Sequence, residues 1–242
     1  VRDSSEPERL SSALKRHDIR WVIALGRTSL LATAQLDSNL RVLGGGVMGL
    51  PEGYPRAATV LSLVPDPQLL FARLKAMNPG LRRLVVVYNP LKSGWYVLPS
   101  AEAAAAFGIS LVALEAGDLK AALRHYQEFF SSANGKHDAL WLPLDSVTVN
   151  DEVVLPLVLL ESWTRRIPVI SNSAYHAKMG VLFALYPDNY DVGRTLGGLA
   201  LSADLSAGKV LLPLRTGAIA FNRRTASHLG LSVSALQAEG GI

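Results

Sequence analysis

The chain has no cysteine among its 242 residues. That excludes disulfides, thiolate metal sites and cysteine nucleophiles, and it suits an oxidising compartment. No apolar run approaches the ~20 residues of a membrane-spanning helix. The longest candidate, 153–160, contains Pro156 and is flanked by Asp151, Glu152 and Glu161. Charged residues are sparse, 18% against 49% hydrophobic. This excludes a disordered chain and provides for one large domain or two lobes of about 100 residues each. The net charge is +4, but the basic pairs Lys15-Arg16, Arg82-Arg83, Arg165-Arg166 and Arg223-Arg224 lie far apart. No basic stripe is interleaved with aromatics, so no nucleic-acid partner is expected. The first residue is Val1, and a signal peptide, if the protein has one, is taken to have been removed.

Catalytic and cofactor motifs are also missing. There is no Walker A loop, HExxH or G-x-S-x-G elbow. A literal G-x-G-x-x-G occurs at Gly44, Gly46 and Gly49, but Leu50-Pro51-Glu52-Gly53-Tyr54-Pro55 follows and cannot open a helix soon. A dinucleotide site needs that helix, so the segment reads as a flexible glycine turn. The five histidines are isolated from one another in sequence, which gives no metal-ligand spacing. Nothing in the spacing promotes a Ser/His/Asp triad. An α/β enzyme using Asp145 or Asp188 lacks any nucleophile–base pattern. The expectation is a protein without catalysis, cofactor or metal.

Short, continuously apolar runs alternate with helical patterns. Strands are predicted near 21–25, 41–43, 60–64, 84–88, 110–114, 139–142, 168–170, 181–186, 210–214 and 219–221. Runs that do not alternate belong to strands buried on both faces of a parallel sheet. Helix starts are marked by Ser5 with Glu8 in a capping box, Asp66 before Pro67, Ser100, Asp118, Asp188 and Asn222. Gly108, Gly208 and Gly230 mark ends. A helix across 151–166 must start near Leu155 or kink at Pro156. Arg223 and Arg224 sit in a first turn, where the helix dipole disfavours cations. The turn chemistry of Met77-Asn78-Pro79-Gly80 suggests a lobe boundary. The fold class is therefore α/β, with two doubly wound parallel-sheet lobes around a cleft. The first lobe is expected over 1–80 plus about 188–214, the second over 81–187, and 215–242 crosses back to pack on a lobe.

In a parallel sheet, ligands bind beyond the carboxyl ends of the strands. Those ends carry Arg27, Thr28 and Ser29; Tyr88, Asn89, Ser93 and Trp95; Asp145; Asn172 and Ser173; and Asp188. Taken singly, each reads as an ordinary N-cap or loop polar group. Taken together, from two lobes, they outline a ligand cleft with cations, hydroxyls and aromatic faces.

The segments RRLVVVYNP at 82–90 and AAAAFGI at 103–109, then IPVISNS at 167–173, GVLFALYPDNYDVGR at 180–194 and FNRRTASHLGL at 221–231, resemble in order a family of ABC-transporter solute-binding proteins. This is the tryptophan/tyrosine-type family, with the type I periplasmic binding protein fold. The resemblance spans roughly residues 20 to 235. It implies two lobes joined by three crossovers, near 78–83, 186–188 and 214–218. It also implies a small organic ligand, with amino acids best attested, a membrane ABC permease as partner and a periplasmic or extracytoplasmic location. By this resemblance Arg27, Thr28, Ser29, Tyr88 and Asn89 line the cleft. Members of that family begin with a full βαβ unit before the strand equivalent to 21–25, whereas one helix precedes it here. The first lobe thus looks shortened, by truncation or by nature. An open sheet edge there would be covered by dimerisation or by a protein partner, so a sensory or scaffold protein retaining the fold is the alternative.

Overall fold

A computed structural model describes residues 6–202 and 208–231. Both the Ser5–Glu8 capping box and Gly208 as the end of a helix through 203–207 depend on residues outside that set. The chain divides into two compact units, Val1–Pro65 with Pro187–Gly217, and Asp66–Tyr186 with Ala218–Ile242.

Unit 1 opens with helix α1 (Glu6–Arg16), then β1 (Trp21–Leu25), α2 (Gly26–Ala32) and a short 3-10 turn (Thr33–Gln35). β2 (Arg41–Val47) and β3 (Ala58–Pro65) follow, and α9 (Asn189–Leu201) and β9 (Lys209–Leu214) return to this unit later in the chain. The sheet order is β1-β2-β3-β9, with every pair parallel. One face is covered by Leu30 of α2 with Ala24, Val42 and Val60, the other by Val192 and Leu196 of α9 with Leu43 and Leu61.

Gly44, Gly45 and Gly46 lie inside β2 and only Gly49 follows it, which corrects the reading of this segment as a flexible turn. A Cβ on Gly44 would meet Val60 and Leu30, and one on Gly45 would lie 2.5 Å from Leu196. Gly46 has φ +70 where the β2–β3 register shifts, and a Cβ there would lie 3.2 Å from the backbone nitrogen of Gly26. Close packing of helices on both faces, with a bulge, requires glycine here.

Unit 2 contains α3 (Pro67–Met77), β4 (Arg83–Tyr88), α4 (Gly94–Val97), α5 (Ser100–Ala105), β5 (Ser110–Glu115) and α6 (Leu119–Ser132). Next come β6 (Asp138–Leu142), α7 (Val154–Arg165), β7 (Val169–Ser171), α8 (Ala174–Met179) and β8 (Phe183–Tyr186). β10 (Ala218–Phe221) and α10 (Arg223–Leu229) complete it. The sheet order is β10-β8-β7-β6-β4-β5, parallel except for the antiparallel pair β10–β8.

The first lobe was expected to run to residue 80, but α3 groups with unit 2. Its buried Leu70, Phe71 and Leu74 face that unit's core, where the Phe71 ring meets Trp141 of β6 edge-on at 5.7 Å. The boundary is therefore Pro65/Asp66, and the later ones fall at Tyr186/Pro187 and Gly217/Ala218.

Four side-chain caps stand where the sequence put them, whereas Ser100 opens α5 without capping it, its hydroxyl donating to the Tyr96 carbonyl. Asp66 accepts from the Gln68 amide, Asp118 from Ala121, Asp188 from Tyr190 and Asp191, and Asn222 from Thr225. α7 starts at Val154, so Pro156 falls in its first turn, where its missing N–H costs no helical bond. The Arg224 guanidinium lies over the Trp163 ring, 5.4 Å from its centroid. That cation–π contact accounts for a cation at the unfavourable end of α10.

Candidate functional site

The chain order in unit 2 reverses at one place. From β4 it steps outward to β5, then returns across to β6 on the other side of β4. Ligands in open α/β sheets bind outside the carboxyl ends of the strands at such a switch point. Here those ends are Asn89, immediately after β4, and the Pro143–Asp145 turn after β6.

Asp145 ties the two loops together. Its Oδ2 accepts the Asn89 amide at 2.7 Å and the Ser93 hydroxyl, and its Oδ1 accepts the amides of Val147 at 2.9 Å and Thr148 at 3.1 Å. The Asn89 side chain donates to the carbonyls of Ala116 and Gly117 and accepts from the Leu91 amide, so it also binds the loop after β5. Asn89, Ser93 and Asp145 are all buried. A carboxylate taken out of water is stable only with donors of this kind around it.

Beside this network runs an aromatic row. Trp95 meets Tyr96 edge-on at 5.0 Å, and Tyr96 meets Trp141 at 6.1 Å. The Tyr96 hydroxyl accepts from the Leu144 amide at 2.8 Å. Trp141 donates its indole N–H to Asn172 Oδ1 at 2.7 Å, and the Asn172 amide group donates to the Leu185 carbonyl at 3.3 Å. Burial, reinforced by the negative charge of Asp145, pushes the phenols of Tyr96 and Tyr126 far above their ordinary range, although the Leu144 amide opposes this at Tyr96. Both phenols stay neutral.

The structure therefore brings Tyr88, Asn89, Ser93, Trp95, Asp145, Asn172 and Ser173 to one rim of unit 2. Their roles differ. Tyr88 is buried against Gly94, and Asn89, Ser93, Asp145 and Asn172 are fully engaged with protein partners. Trp95 and Tyr175 stay partly exposed, and Ser173 starts α8 with no hydrogen bond from its own side chain to the helix. In unit 1, Arg27, Thr28 and Ser29 form the exposed first turn of α2, and Asp188 caps α9. A depression of about 420 Å³ in the same unit lies between α1 and the segment Asp37–Leu40, at the amino ends of β1 and β2. That is the opposite end from the one where parallel sheets bind ligands.

Sequence reasoning missed a second line of side chains, buried at one end only. Ser171 Oγ lies 2.7 Å from His176 Nδ1, and His176 Nε2 lies 2.9 Å from Asp151 Oδ1. The carboxylate selects the tautomer with its proton on Nε2, so Ser171 donates to Nδ1 while accepting the Ser173 amide at 3.0 Å. These are the residue types of a hydrolytic triad with the burial inverted. Ser171 is 0% exposed, whereas the Asp151 carboxylate is 54% exposed. A nucleophile must meet its substrate, so this line shapes the β7–α8 loop that carries Asn172 and Ser173. No sequence spacing signals it. Among the described residues there is no cluster of three metal-ligating side chains, and no helix is long and apolar enough to cross a membrane.

A search of curated protein sequences finds no match. Several solved structures share the fold. The ABC domain in complex with L-Trp from Streptococcus pneumonia aligns with TM-score 0.62 at 17% identity, covering 99% of this chain and 83% of the other. The ligand-free, open structure of a substrate binding protein with adhesive properties from Clostridium difficile gives TM-score 0.62 at 18% identity, covering 95% and 80%. A conserved domain protein from Vibrio cholerae gives 0.58 at 15% identity, covering 97% and 82%. Residues 12–238 match the family model for ABC transporter substrate binding proteins, and the chain belongs to that family.

Proposed function

We propose that this protein is the solute-binding component of an ABC transport system. It takes up a small organic ligand, of the amino-acid class, and performs no chemistry on it. It works outside the cytoplasm and hands its cargo to a membrane permease. The observation that carries the reading is the switch point of unit 2, where the Asn89–Asp145 bond fixes two strand-end loops around an aromatic row. Membership of the substrate-binding family supports it independently.

In this reading the buried groups build the wall and the exposed groups meet the ligand. Trp95 and Tyr175 offer ring faces to an organic side chain, and Ser173 offers a hydroxyl. In unit 1, the exposed first turn of α2 with Arg27, Thr28 and Ser29, and Asp188 at the start of α9, carry the charge and hydrogen-bonding groups suited to a ligand's polar end. Native mass spectrometry of the purified protein tests the reading. A co-purifying small molecule of defined mass, lost on unfolding, supports it. Absence of any adduct, together with no thermal shift across amino acids and related metabolites, refutes it.

A second reading is a sensory or scaffold protein that works through a partner. It draws on β1, an edge strand whose Ile23 and Leu25 are 47% and 60% exposed. A protein that binds no solute but captures a partner at that edge fits this alternative.

A further inference from the structure

Helix α7 buries one face and leaves the other apolar. Val154, Leu155, Val158 and Ser162 point into unit 2. On the outer side, Val153, Pro156, Leu160 and Trp163 are exposed, with Leu160 at 66%. Their spacing of three, four and three residues places them in one stripe along the helix. A water-facing helix ordinarily carries polar residues at such positions.

Trp163 is also held in place. The His228 ring stacks on it at 3.7 Å with an interplanar angle of 3°, the His228 Nε2 bonds the Trp163 carbonyl at 2.8 Å, and Arg224 lies over the indole. A rigid aromatic flanked by arginine loses little entropy on association and is the residue type that dominates interfaces.

The charges around the stripe select the partner. The amino end of α7 is preceded by Asp151, which bonds His176, and by exposed Glu152; its carboxyl end carries Arg165, which pairs with Glu161 one turn back at 2.6 Å, and exposed Arg166, so Glu152 and Arg166 are the charges that a second copy would bring together. A helix acidic at one end and basic at the other is complementary to itself when reversed. Laid antiparallel on a two-fold axis, Val153 meets Trp163 of the partner subunit and Pro156 meets Leu160 of the partner subunit. Each acidic end then faces a basic one. A parallel arrangement would bring like charges together.

We propose that the outer face of α7 is a homodimer surface, occupied by a second copy of this chain in antiparallel, two-fold register. The proposal is independent of what the protein binds as a solute. The stripe is about 15 Å long and one helix wide, less than the roughly 800 Å² per partner of a standard interface, so the dimer is weak and reversible.

Sedimentation equilibrium of the full chain from about 10 μM to about 1 mM tests this. The expected result is a monomer–dimer equilibrium that Leu160→Glu shifts at least about tenfold towards monomer, with Leu160→Ser giving a smaller shift in the same direction. Glu152→Arg or Arg166→Glu alone weakens the dimer, and the two together restore it. Ile23→Lys, on the β1 edge of the other unit, leaves it unchanged. A protein monomeric at about 1 mM overturns the proposal. So does a dimer indifferent to Leu160→Glu, a dimer lost in Ile23→Lys, or a failure of the double reversal to restore association.

Discussion

The buried carboxylate of Asp145 accepts the backbone amide of Asn89 at 2.7 Å, joining the loops that follow β4 and β6 where the strand order of unit 2 reverses. The same carboxylate satisfies three further donors, from Ser93, Val147 and Thr148. Asp145→Ala would leave those donors buried without a partner. The expected cost is about 3 kcal/mol, read by urea unfolding, with a concurrent loss of solute binding. Asp145→Asn should cost less than Asp145→Ala, because one oxygen can still accept. An Ala variant as stable as the parent would show that the rim is not organised by this residue.

A second carboxylate sets the acid limit of the same unit. Arg83 reaches across from β4 to Asp138 of β6, with Nε to Oδ1 at 2.9 Å and Nη2 to Oδ2 at 2.8 Å. Burial alone would raise the Asp138 carboxyl. The Arg83 guanidinium, the Asn134 amide and the nearby His137 outweigh it and hold Asp138 below the usual carboxylate range. A depressed folded value stabilises the protein above the unfolded value of about 4 and ceases to do so as pH falls through the folded value. The urea midpoint should therefore decline as pH drops below about 4, and Asp138→Asn should flatten part of that decline. A variant with an unchanged acid limb would assign the decline to other groups.

In unit 1 the packing of α9 on β2 depends on a missing side chain. A Cβ on Gly45 would lie 2.5 Å from Leu196, which is itself buried. Gly45→Ala should destabilise by about 1–3 kcal/mol through overpacking. That lowers the melting temperature by about 2–4 °C per kcal/mol in a chain of this size. An unchanged melting temperature would mean that α9 can retreat without cost.

The exposed and buried members of the rim should separate by mutation. Trp95 is 39% exposed and meets Tyr96 only edge-on, so Trp95→Ala should leave the fold within about 1 kcal/mol of the parent. If its ring face holds the ligand, affinity should fall about tenfold or more. Calorimetric titration of parent and variant with the co-purified solute measures both, and equal affinities would remove Trp95 from the site.

Much of the fold could be read from the sequence because its signals are local. A continuous run such as 84–88, short and rich in valine, marks a strand buried on both faces, and Asp66 before Pro67 or Asp118 before Leu119 marks a helix start directly. Short helices were harder. α2 and α8 have no side-chain cap to announce them, and α4 spans four residues. The glycines of β2 were misread because the reason for them lies in Leu30, Val60 and Leu196, distant in sequence. The same limit applies to the site. The strand-end rule collected Asn89, Asp145 and Asn172, but it could not distinguish residues that build the wall from those left open. Only the three-dimensional partners, such as Trp141 for Asn172, make that distinction. The Ser171–His176–Asp151 line was invisible for the same reason.

Whether this chain binds a small solute is decided by calorimetry on protein freed of any co-purified ligand by unfolding and refolding. Titration with L-tryptophan, L-tyrosine and a panel of other amino acids and small metabolites should give saturable one-to-one binding for at least one compound. At a hundredfold excess over Kd, that compound should stabilise the fold by about 2.7 kcal/mol. A correctly refolded protein that shows neither heat nor thermal stabilisation with any of them is not a solute-binding protein for this class of ligand.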